Sequence, residues 1–449
     1  MEYTFRENEI TLIKRQQWLS ETSRSRLTLI YGPRRCGKSE AAALALSKIP
    51  YIYLTAGGKV PVLAIEEAKQ HCFNRVGIEM PESINTITGF FDVIMAESWT
   101  KPLVLVLDEF QEYWKTDKEF CLHLVKKWKA EKLKTNLNLV LICSNQEIID
   151  EVFFENGAPL VNQVDEAVGI KPLTISELKD ALRSVNRSYS PIDLLALYCT
   201  TGGRPGAVRH LFYKGAFTAE AMLDIFCSGK DDITHRTETY LYQVLGKNSD
   251  TYLSILQLIA SGVRTQAEME FRLGGMIIGG HLAKMENEYE LIRKMRPTPC
   301  EADSRGVVRY EISDPSVKLW ILQQYANRAA RLTGEKPAFR FPDDFRAELR
   351  DMFISRLESE ESIASVGAWW RPVARLHKRA SSAPTKSPEE RDVDIVANVR
   401  GGKTVILAAV ETSADNFKKE PFLKAVELLR NGSLKGKSLD VRLFTPDDL

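Results

Sequence analysis

The chain has 449 residues, a formal net charge of +1 at pH 7, and ordinary shares of hydrophobic (44%) and charged (27%) residues. This length predicts several separate cores, and the balanced charge excludes an overall field that would draw the molecule onto nucleic acid or an anionic membrane. The N-terminal sequence lacks the apolar stretch of a signal peptide, and no apolar run approaches the roughly 20 residues of a membrane-spanning helix. We therefore expect a multidomain cytoplasmic protein with no membrane partner. None of the seven cysteines pairs as CxxC, so neither a disulfide framework nor a zinc site is expected.

The first motif is a phosphate-binding loop. Leu27 to Tyr31 is an apolar run typical of a buried parallel strand, and it leads directly into GPRRCGKSE. The glycines allow a tight turn whose N–H groups cradle phosphate oxygens at a helix N-terminus. Lys38 is expected to reach the β- and γ-phosphates, and Ser39 to place its hydroxyl on Mg²⁺. The predicted nucleotide contacts are Gly32, Pro33, Arg34, Arg35, Cys36, Gly37, Lys38, Ser39 and Glu40, with Cys36 interpreted as a filler of the loop.

A second motif supplies two carboxylates. Lys101 to Tyr113 reads KPLVLVLDEFQEY, an apolar strand that ends in Asp108 and Glu109. Asp108 is expected to hold Mg²⁺ through water, and Glu109 to polarise the attacking water as the general base. The alternative is a buried strand that ends in solvated acids, an interpretation that the preceding phosphate-binding loop disfavours.

A further strand is predicted at Leu137 to Ile142, followed by Cys143, Ser144 and Asn145. In P-loop ATPases with an added strand between the two nucleotide motifs, this strand end carries a polar sensor of the γ-phosphate. Ser144 or Asn145 is a candidate for that role. Equally, the same two residues are typical of the turn that caps the next helix.

Four segments together resemble a known family: GPRRCGKS, LVLDEFQE, KPLTISEL at Lys171 to Leu178, and TGGRPGAV at Thr201 to Val208. In this order they resemble the archaeal-type ATPases of the STAND branch of AAA+-related proteins, and FRENEI at residues 5–10 resembles the N-terminal signature of that family. The resemblance implies ATP and Mg²⁺ as ligands and an α/β fold in which a five-stranded P-loop parallel sheet precedes a helical lid. A winged helix and a C-terminal restriction-endonuclease-like domain are implied to follow. The expected domains are 1–165 (ATPase core), 166–245 (lid), 246–330 (winged helix) and 331–449 (nuclease-like domain).

Arginines provide further candidates for the nucleotide site. The lid is expected to begin with Ser190 as helix cap and Pro191 at the first helical position. By analogy with sensor arginines, Arg204 is a candidate to approach the γ-phosphate. The alternative is a tight turn between helices from which Arg204 points outward. Arg34 and Arg35 are candidates to act on a neighbouring subunit of a homo-oligomer, or are solvated charges of the loop.

A winged helix is predicted from three helices and two strands. The first helix covers Tyr252 to Ser261, the second is capped by Thr265, and the third begins near Ile278. Strands are predicted at residues 289–295 and 307–312. The predicted recognition helix starts with glycines and carries acids, so that protein docking or domain packing competes with DNA binding as its role. The candidate phosphate contacts are Arg293, Lys294, Arg296, Arg305 and Arg309.

The C-terminal segment resembles a nuclease-like domain with one residue missing. GAWW at residues 367–370, Asp394 and Glu411 match the signature of such domains in this family, which makes the two carboxylates a candidate second metal site. Ser413 stands where the signature has its lysine, so we expect nuclease activity to be lost. The alternative is that Asp394 and Glu411 are ordinary strand residues.

Other residues of this segment are candidates to complete the site. Lys418 or Lys419 is a candidate to replace the missing lysine, and Glu348 a candidate to add a carboxylate. The basic loop at residues 371–391 is a candidate for contact with a DNA backbone, with a solvated loop as its alternative.

Three functions follow from these features. The leading hypothesis is a Mg²⁺-dependent ATPase that acts as a conformational switch on DNA or on a protein partner. The second is an ATP-controlled, metal-dependent DNA nuclease. The third is a DNA-binding regulator with little turnover.

Overall fold

The computed structural model describes residues 5–57, 60–228, 231–246, 249–298, 308–323, 339–370 and 392–449. The chain forms two compact units, Met1–Pro172 and Leu173–Leu449. Within the described ranges, no helix has both the length and the apolar composition needed to cross a membrane.

A parallel sheet of five strands forms the centre of the first unit. Its strands are β1 (Arg26–Tyr31), β2 (Ile52–Thr55), β3 (Leu103–Asp108), β4 (Leu137–Cys143) and β5 (Glu166–Gly169). Their order is β2-β3-β4-β1-β5, and every neighbouring pair is parallel. Because β4 pairs with both β1 and β3, the predicted added strand between the two motif-bearing strands is confirmed. The sheet extends past the expected boundary at residue 165, since β5 is its edge strand.

Helices cover both faces of this sheet, which explains why its central strands are apolar along their whole length. Alternate residues of β3 enter different cores: Leu105 and Leu107 belong to one cluster of buried side chains, and Val104 and Val106 to the other. The helices are α1 (Glu7–Thr22), α2 (Lys38–Leu46), α3 (Pro61–Val76), α4 (Ile87–Glu97), α5 (Phe110–Thr116), α6 (Lys118–Glu131) and α7 (Gln146–Ile149), which continues as a π-helix at Asp150–Phe154.

The second unit begins with helices. Ser190 caps one of them with Pro191 as its first residue, and Thr265 caps another, as the sequence predicts. Three of the helices are followed by an antiparallel hairpin, which is the order of elements that the sequence predicts between Tyr252 and Ile312. The elements are α8 (Ile175–Val185), α9 (Pro191–Thr201), α10 (Pro205–Tyr213), α11 (Ala219–Cys227), α12 (Asp232–Leu245), α13 (Ser249–Ala260), α14 (Gln266–Arg272), α15 (Gly279–Asn287), β6 (Ile292–Met295), β7 (Arg309–Ile312) and the helical residues 315–323, α16.

A mixed sheet ends the second unit. Its elements are α17 (Arg346–Glu358), β8 (Ile363–Trp369), β9 (Val393–Val399), β10 (Thr404–Val410), α18 (Lys419–Asn431) and β11 (Ser438–Phe444). The strand order is β11-β10-β9-β8, with β8, β9 and β10 antiparallel and β11 parallel to β10. Apolar side chains of β9 and β10 pack with those of α18 in one buried cluster.

Candidate nucleotide site

The phosphate-binding loop joins β1 to α2 through glycines that no other residue could replace without strain. Gly32 has a φ of 138°, and a Cβ atom placed there would lie 1.9 Å from the carbonyl oxygen of Ile170, just after β5. Gly37 has a φ of 91° and immediately precedes α2. The loop thus places the N-terminus of α2, whose first N–H groups have no partner within the helix, beside the carboxyl edge of the sheet.

Lys38, the first residue of α2, is buried at 7% exposure. Its Nζ donates hydrogen bonds to the carbonyl oxygens of Gly32 at 2.9 Å and Pro33 at 2.7 Å. Burial lowers the pKa of Lys38 from its ordinary value, and the carboxylates of Glu109 and Asp108 oppose that shift. The ammonium group is therefore held across the loop by neutral acceptors and lies among groups that favour its charge.

Asp108 is the last residue of β3, and its carboxylate accepts three hydrogen bonds. Its Oδ2 accepts a hydrogen bond from the Ser39 hydroxyl at 2.6 Å and another from the Tyr53 hydroxyl, while its Oδ1 accepts from the N–H of Glu109 at 2.7 Å. Tyr53 reaches Asp108 because β2 and β3 are paired in register. Burial and the charge of Asp108 raise the pKa of Tyr53, so this hydroxyl keeps its proton and acts as a donor.

Glu109 lies in the left-handed region, with a φ of 54°, at the start of α5. Its carboxylate accepts a hydrogen bond from Gln111 Nε2 and lies 3.4 Å from the Ser144 hydroxyl. Gln111 is fully buried; it also donates to Ser144 Oγ at 2.9 Å and accepts from the Ser144 N–H at 3.1 Å. Gln111 therefore connects the ends of β3 and β4.

The two polar residues after β4 have different tasks. Asn145 caps α7, since its side-chain oxygen accepts from the N–H of Ile148 at 2.9 Å. Ser144 instead contacts Gln111 and Glu109. The capping interpretation therefore holds for Asn145, and the sensor role of Ser144 stays a prediction.

The arginines and the cysteine of the loop differ in environment. Arg34 approaches Glu112 at 3.4 Å and Glu109 at 3.7 Å, while Arg35 is half-buried with a φ of 68°. Cys36 is buried in the core beside α1, in agreement with a filler of the loop. Pro33 in the loop and Glu40 in the first turn of α2 are exposed.

Sequence reasoning missed two residues of this site. Gln111 was visible in the segment DEFQE, two positions after Glu109, but a buried glutamine has no signature in one sequence. Tyr53 lies in the apolar segment YIYL, whose pattern indicates only a buried strand. Its hydroxyl becomes part of the site only because β2 is the neighbour of β3.

Arg204 belongs to the second unit, where it is buried at 5% exposure. Its guanidinium donates to Asp314 and to the hydroxyl of Ser316. Gly202 makes this contact possible, since a Cβ atom there would lie 2.4 Å from Asp314 Oδ1. The contacts of Arg204 are thus those of a structural ion pair, and its sensor role stays a prediction.

The basic residues expected to meet DNA phosphates fall into three groups. Arg293 pairs with Glu311 at 2.8 Å and with Asp351, and Arg309 forms two hydrogen bonds with Asp392 at 2.6 and 3.1 Å. Lys294 and Arg296 are exposed. The third group, Arg305 and the basic loop at 371–391, lies outside the described residues.

The two carboxylates of the C-terminal sheet come together at the end of β10. Asp394 accepts two hydrogen bonds from Arg346, whose Nε lies 3.7 Å from Glu411. Glu348, considered as a further ligand, pairs instead with Lys318 at 2.7 Å. The candidate replacements for the missing lysine, Lys418 and Lys419, are exposed.

The strand order and the geometry around Lys38, Ser39, Asp108 and Glu109 define a P-loop NTPase-like α/β unit. No family model and no curated protein matches the sequence. Among solved structures, the chain is similar to the Walker-type ATPase PABY2304 of Pyrococcus abyssi, with 20% identity, 71% of this chain and 96% of that chain covered, and a TM-score of 0.48. It is also similar to the ORC2 protein of Aeropyrum pernix in ADPNP–ADP complexes (12% identity, 74% and 96% covered, TM-score 0.43) and to the ORC1 protein of the same organism in complex with DNA (13%, 74% and 95%, TM-score 0.38).

Proposed function

We propose that this chain binds ATP together with Mg²⁺, hydrolyses the ATP, and uses hydrolysis as a conformational switch. The observation that carries the proposal is the meeting of Lys38, Ser39, Asp108 and Glu109 at the carboxyl edge of one parallel sheet. Ligands of open α/β sheets bind at that edge, and a helix N-terminus there favours anions such as phosphate.

The donor set suits the proposed ligands. A hydroxyl and a carboxylate, 2.6 Å apart in Ser39 and Asp108, are hard oxygen ligands of the kind that Mg²⁺ prefers. Ser39 and Asp108 would hold the ion, and its charge would offset the negative charge of the phosphates. Lys38 would exchange two neutral carbonyl partners for phosphate oxygens. Glu109, whose side chain is 35% exposed, can reach a water molecule as general base.

A switch requires that the state of the γ-phosphate is transmitted away from the site. Gln111 supports such a link, because it binds both Glu109 and Ser144 at the ends of neighbouring strands. A phosphate contact at Ser144 would therefore change the hydrogen bonds that position the Glu109 carboxylate. We propose that the helical and winged-helix-like parts of the second unit respond to this change, as the resemblance to archaeal-type STAND ATPases implies.

The partners of the switch are part of the same proposal. A protein partner is one candidate. A second copy of this chain is another, and Arg34 and Arg35 of that copy are then candidates to act at the nucleotide of their neighbour.

The test compares three variants of the full chain with a fluorescent ATP analogue and a phosphate-release assay. Lys38→Ala is expected to lose nucleotide binding, because no other ammonium group spans the loop in the described site. Glu109→Gln is expected to keep binding and to lose hydrolysis. Glu112→Gln is the matched control, since it is a nearby acid that contacts only the edge of the site through Arg34. Intact binding by Lys38→Ala would refute the proposal.

A second candidate function is binding of nucleic acid through the hairpin of β6 and β7. It is favoured by Lys294 and Arg296, which are exposed on and just after β6. Phosphate contacts weaken steeply with salt. Retention on DNA that falls with salt and is lost in the double variant Lys294→Ala/Arg296→Ala would support this function. Retention unchanged by the double variant would argue against it.

A further inference from the structure

The carboxylate pair of the C-terminal sheet surrounds a cation supplied by the chain itself. Arg346, the first residue of α17, directs Nη2 to both oxygens of Asp394, one of them at 2.6 Å. Its Nε donates to the carbonyl oxygen of Val410 at 2.6 Å and lies 3.7 Å from Glu411. One guanidinium thus contacts the ends of β9 and β10 together.

The backbone of Val410 contacts both Asp394 and Arg346. Val410 is the last residue of β10, and its N–H donates to Asp394 Oδ2 at 2.9 Å while its carbonyl oxygen accepts from Arg346. Asp394 is therefore held by an arginine and by a backbone N–H donor. The arrangement is that of a structural ion pair with hydrogen bonds, which joins α17 to the sheet.

The divalent metal that a nuclease-like domain implies does not fit this arrangement. A metal between Asp394 and Glu411 would place a double positive charge beside the guanidinium of Arg346. Among the residues described in the structure, no group of three or more His, Cys, Asp and Glu could hold a metal ion. Two further carboxylates are already paired: Asp392 with Arg309 at 2.6 Å, and Glu348, the ligand considered from the sequence, with Lys318 at 2.7 Å.

We propose that Arg346 is the permanent cation of this carboxylate pair, so that the C-terminal sheet binds no divalent metal there and does not cut nucleic acid. Arg346 satisfies the charge of Asp394 and approaches that of Glu411, which is the electrostatic task a metal performs in such a site. The C-terminal sheet then serves to stabilise the structure or to bind a partner. This inference is independent of the proposed ATPase function, because the pair lies in the second unit and is assayed without nucleotide.

The proposal predicts a gain of metal binding when the arginine is removed. In Arg346→Met, Asp394 and Glu411, whose side chains are only 13% and 10% exposed, lose the guanidinium that approaches both of them. Two buried negative charges that lose a shared cation repel each other more strongly, and a divalent cation relieves the repulsion. The variant should therefore be less stable than the wild type and should recover stability with Mn²⁺.

The experiment measures bound Mn²⁺ by electron paramagnetic resonance and the thermal unfolding midpoint with and without Mn²⁺, on the full chain without nucleotide. Wild type and Arg346→Lys, which keeps the positive charge, should show no Mn²⁺ that depends on Asp394. Arg346→Met should bind one more Mn²⁺ per chain than the wild type. Adding Glu411→Gln to Arg346→Met should remove that ion. Any Mn²⁺ at the P-loop is common to all variants and cancels in the difference.

Two results would overturn the proposal. One is wild-type protein that binds an Mn²⁺ or nicks plasmid DNA in a way that Asp394→Asn abolishes. The other is a folded Arg346→Met variant that binds no additional Mn²⁺. If Arg346→Met does not fold, the comparison of wild type with Asp394→Asn decides alone: equal Mn²⁺ binding and no nicking by either protein support the permanent cation.

Discussion

Replacing Gln111 by methionine should slow ATP hydrolysis while leaving ATP binding nearly unchanged. Gln111 does not lie on the phosphate-binding loop, and its two hydrogen bonds with Ser144 measure 2.9 and 3.1 Å. It also donates to Glu109, the proposed general base. Methionine has a similar length and fills the same buried volume, so the substitution removes the hydrogen bonds and keeps the packing.

The size of both effects follows from these contacts. The N–H of Ser144, a residue only 4% exposed, loses its acceptor, and an orphaned buried donor costs about 1–3 kcal/mol of stability. In the variant, the Glu109 carboxylate keeps its contacts with the Ser144 hydroxyl at 3.4 Å and with Arg34 at 3.7 Å. It loses the hydrogen bond from Gln111. A carboxylate displaced by about 1 Å can cost on the order of 100-fold in rate. We expect kcat to fall by about 10- to 100-fold.

The assay combines steady-state phosphate release, titration with a fluorescent ATP analogue and thermal unfolding. Gln146→Met is the matched control, since Gln146 is an exposed glutamine on α7 that contacts only Asp150 at 2.9 Å. In the double variant with Ser144→Ala, the loss in kcat should be smaller than the product of the two single losses, because both residues act on Glu109. An unchanged kcat in Gln111→Met, or affinity lost as much as kcat, would refute the reasoning.

Three further predictions concern other positions. Gly32→Ala should weaken ATP binding at least tenfold in a titration, because its Cβ would overlap the carbonyl of Ile170 and force the loop to move. Tyr53→Phe should raise the Mg²⁺ concentration needed for half-maximal hydrolysis several-fold, since Asp108 loses a donor that orients it. Glu311→Gln should lower the free energy of unfolding of the second unit by about 3–5 kcal/mol in urea at pH 7, because three arginines surround this buried carboxylate.

The last of these effects depends on pH. Burial alone would raise the pKa of Glu311, but Arg350, with Arg264 and Arg293, holds that pKa well below its ordinary value of 4.5. A lowered pKa means that the carboxylate stabilises the fold fully above about pH 5, and that this contribution falls as the pH drops below the ordinary value. The difference between wild type and Glu311→Gln should therefore shrink from pH 7 to pH 3. A difference that is constant over this range would contradict the assignment.

The sequence predicted the parts of the molecule that depend on local pattern. The loop glycines, the apolar strand before Asp108 and the caps at Ser190 and Thr265 are short signals with one physical meaning, and the structure contains each of them. The sequence could not assign separate roles to the two polar residues after β4, because Ser144 and Asn145 are equally suited to capping a helix and to sensing a phosphate. The structure shows Asn145 as the cap and Ser144 in contact with Gln111, and the sensor role of Ser144 remains a prediction.

The ion pairs within the second unit could not be predicted from the sequence either. Arg293 and Arg309 look like phosphate contacts when only their spacing on a hairpin is known. Their carboxylate partners, Asp351 and Asp392, lie 58 and 83 positions away along the chain. No local pattern predicts pairs of that separation, since they depend on the packing of the hairpin beside α17 and β9. The same holds for Arg204 and its partner after β7.

The two acidic strand ends of this chain show why a carboxylate motif has to be interpreted with its nearest cation. Near Asp108, the cation is Lys38, a point charge on a flexible stem held by two neutral carbonyl oxygens. Both acceptors are neutral, which supports the proposal that the Lys38 ammonium group binds phosphate oxygens in their place. Near Asp394, the cation is Arg346, a rigid fork with hydrogen bonds to the carboxylate and to the backbone of β10. Displacing it would leave the carboxylate pair without its cation, and this difference makes the first site suited to a ligand and the second to structure.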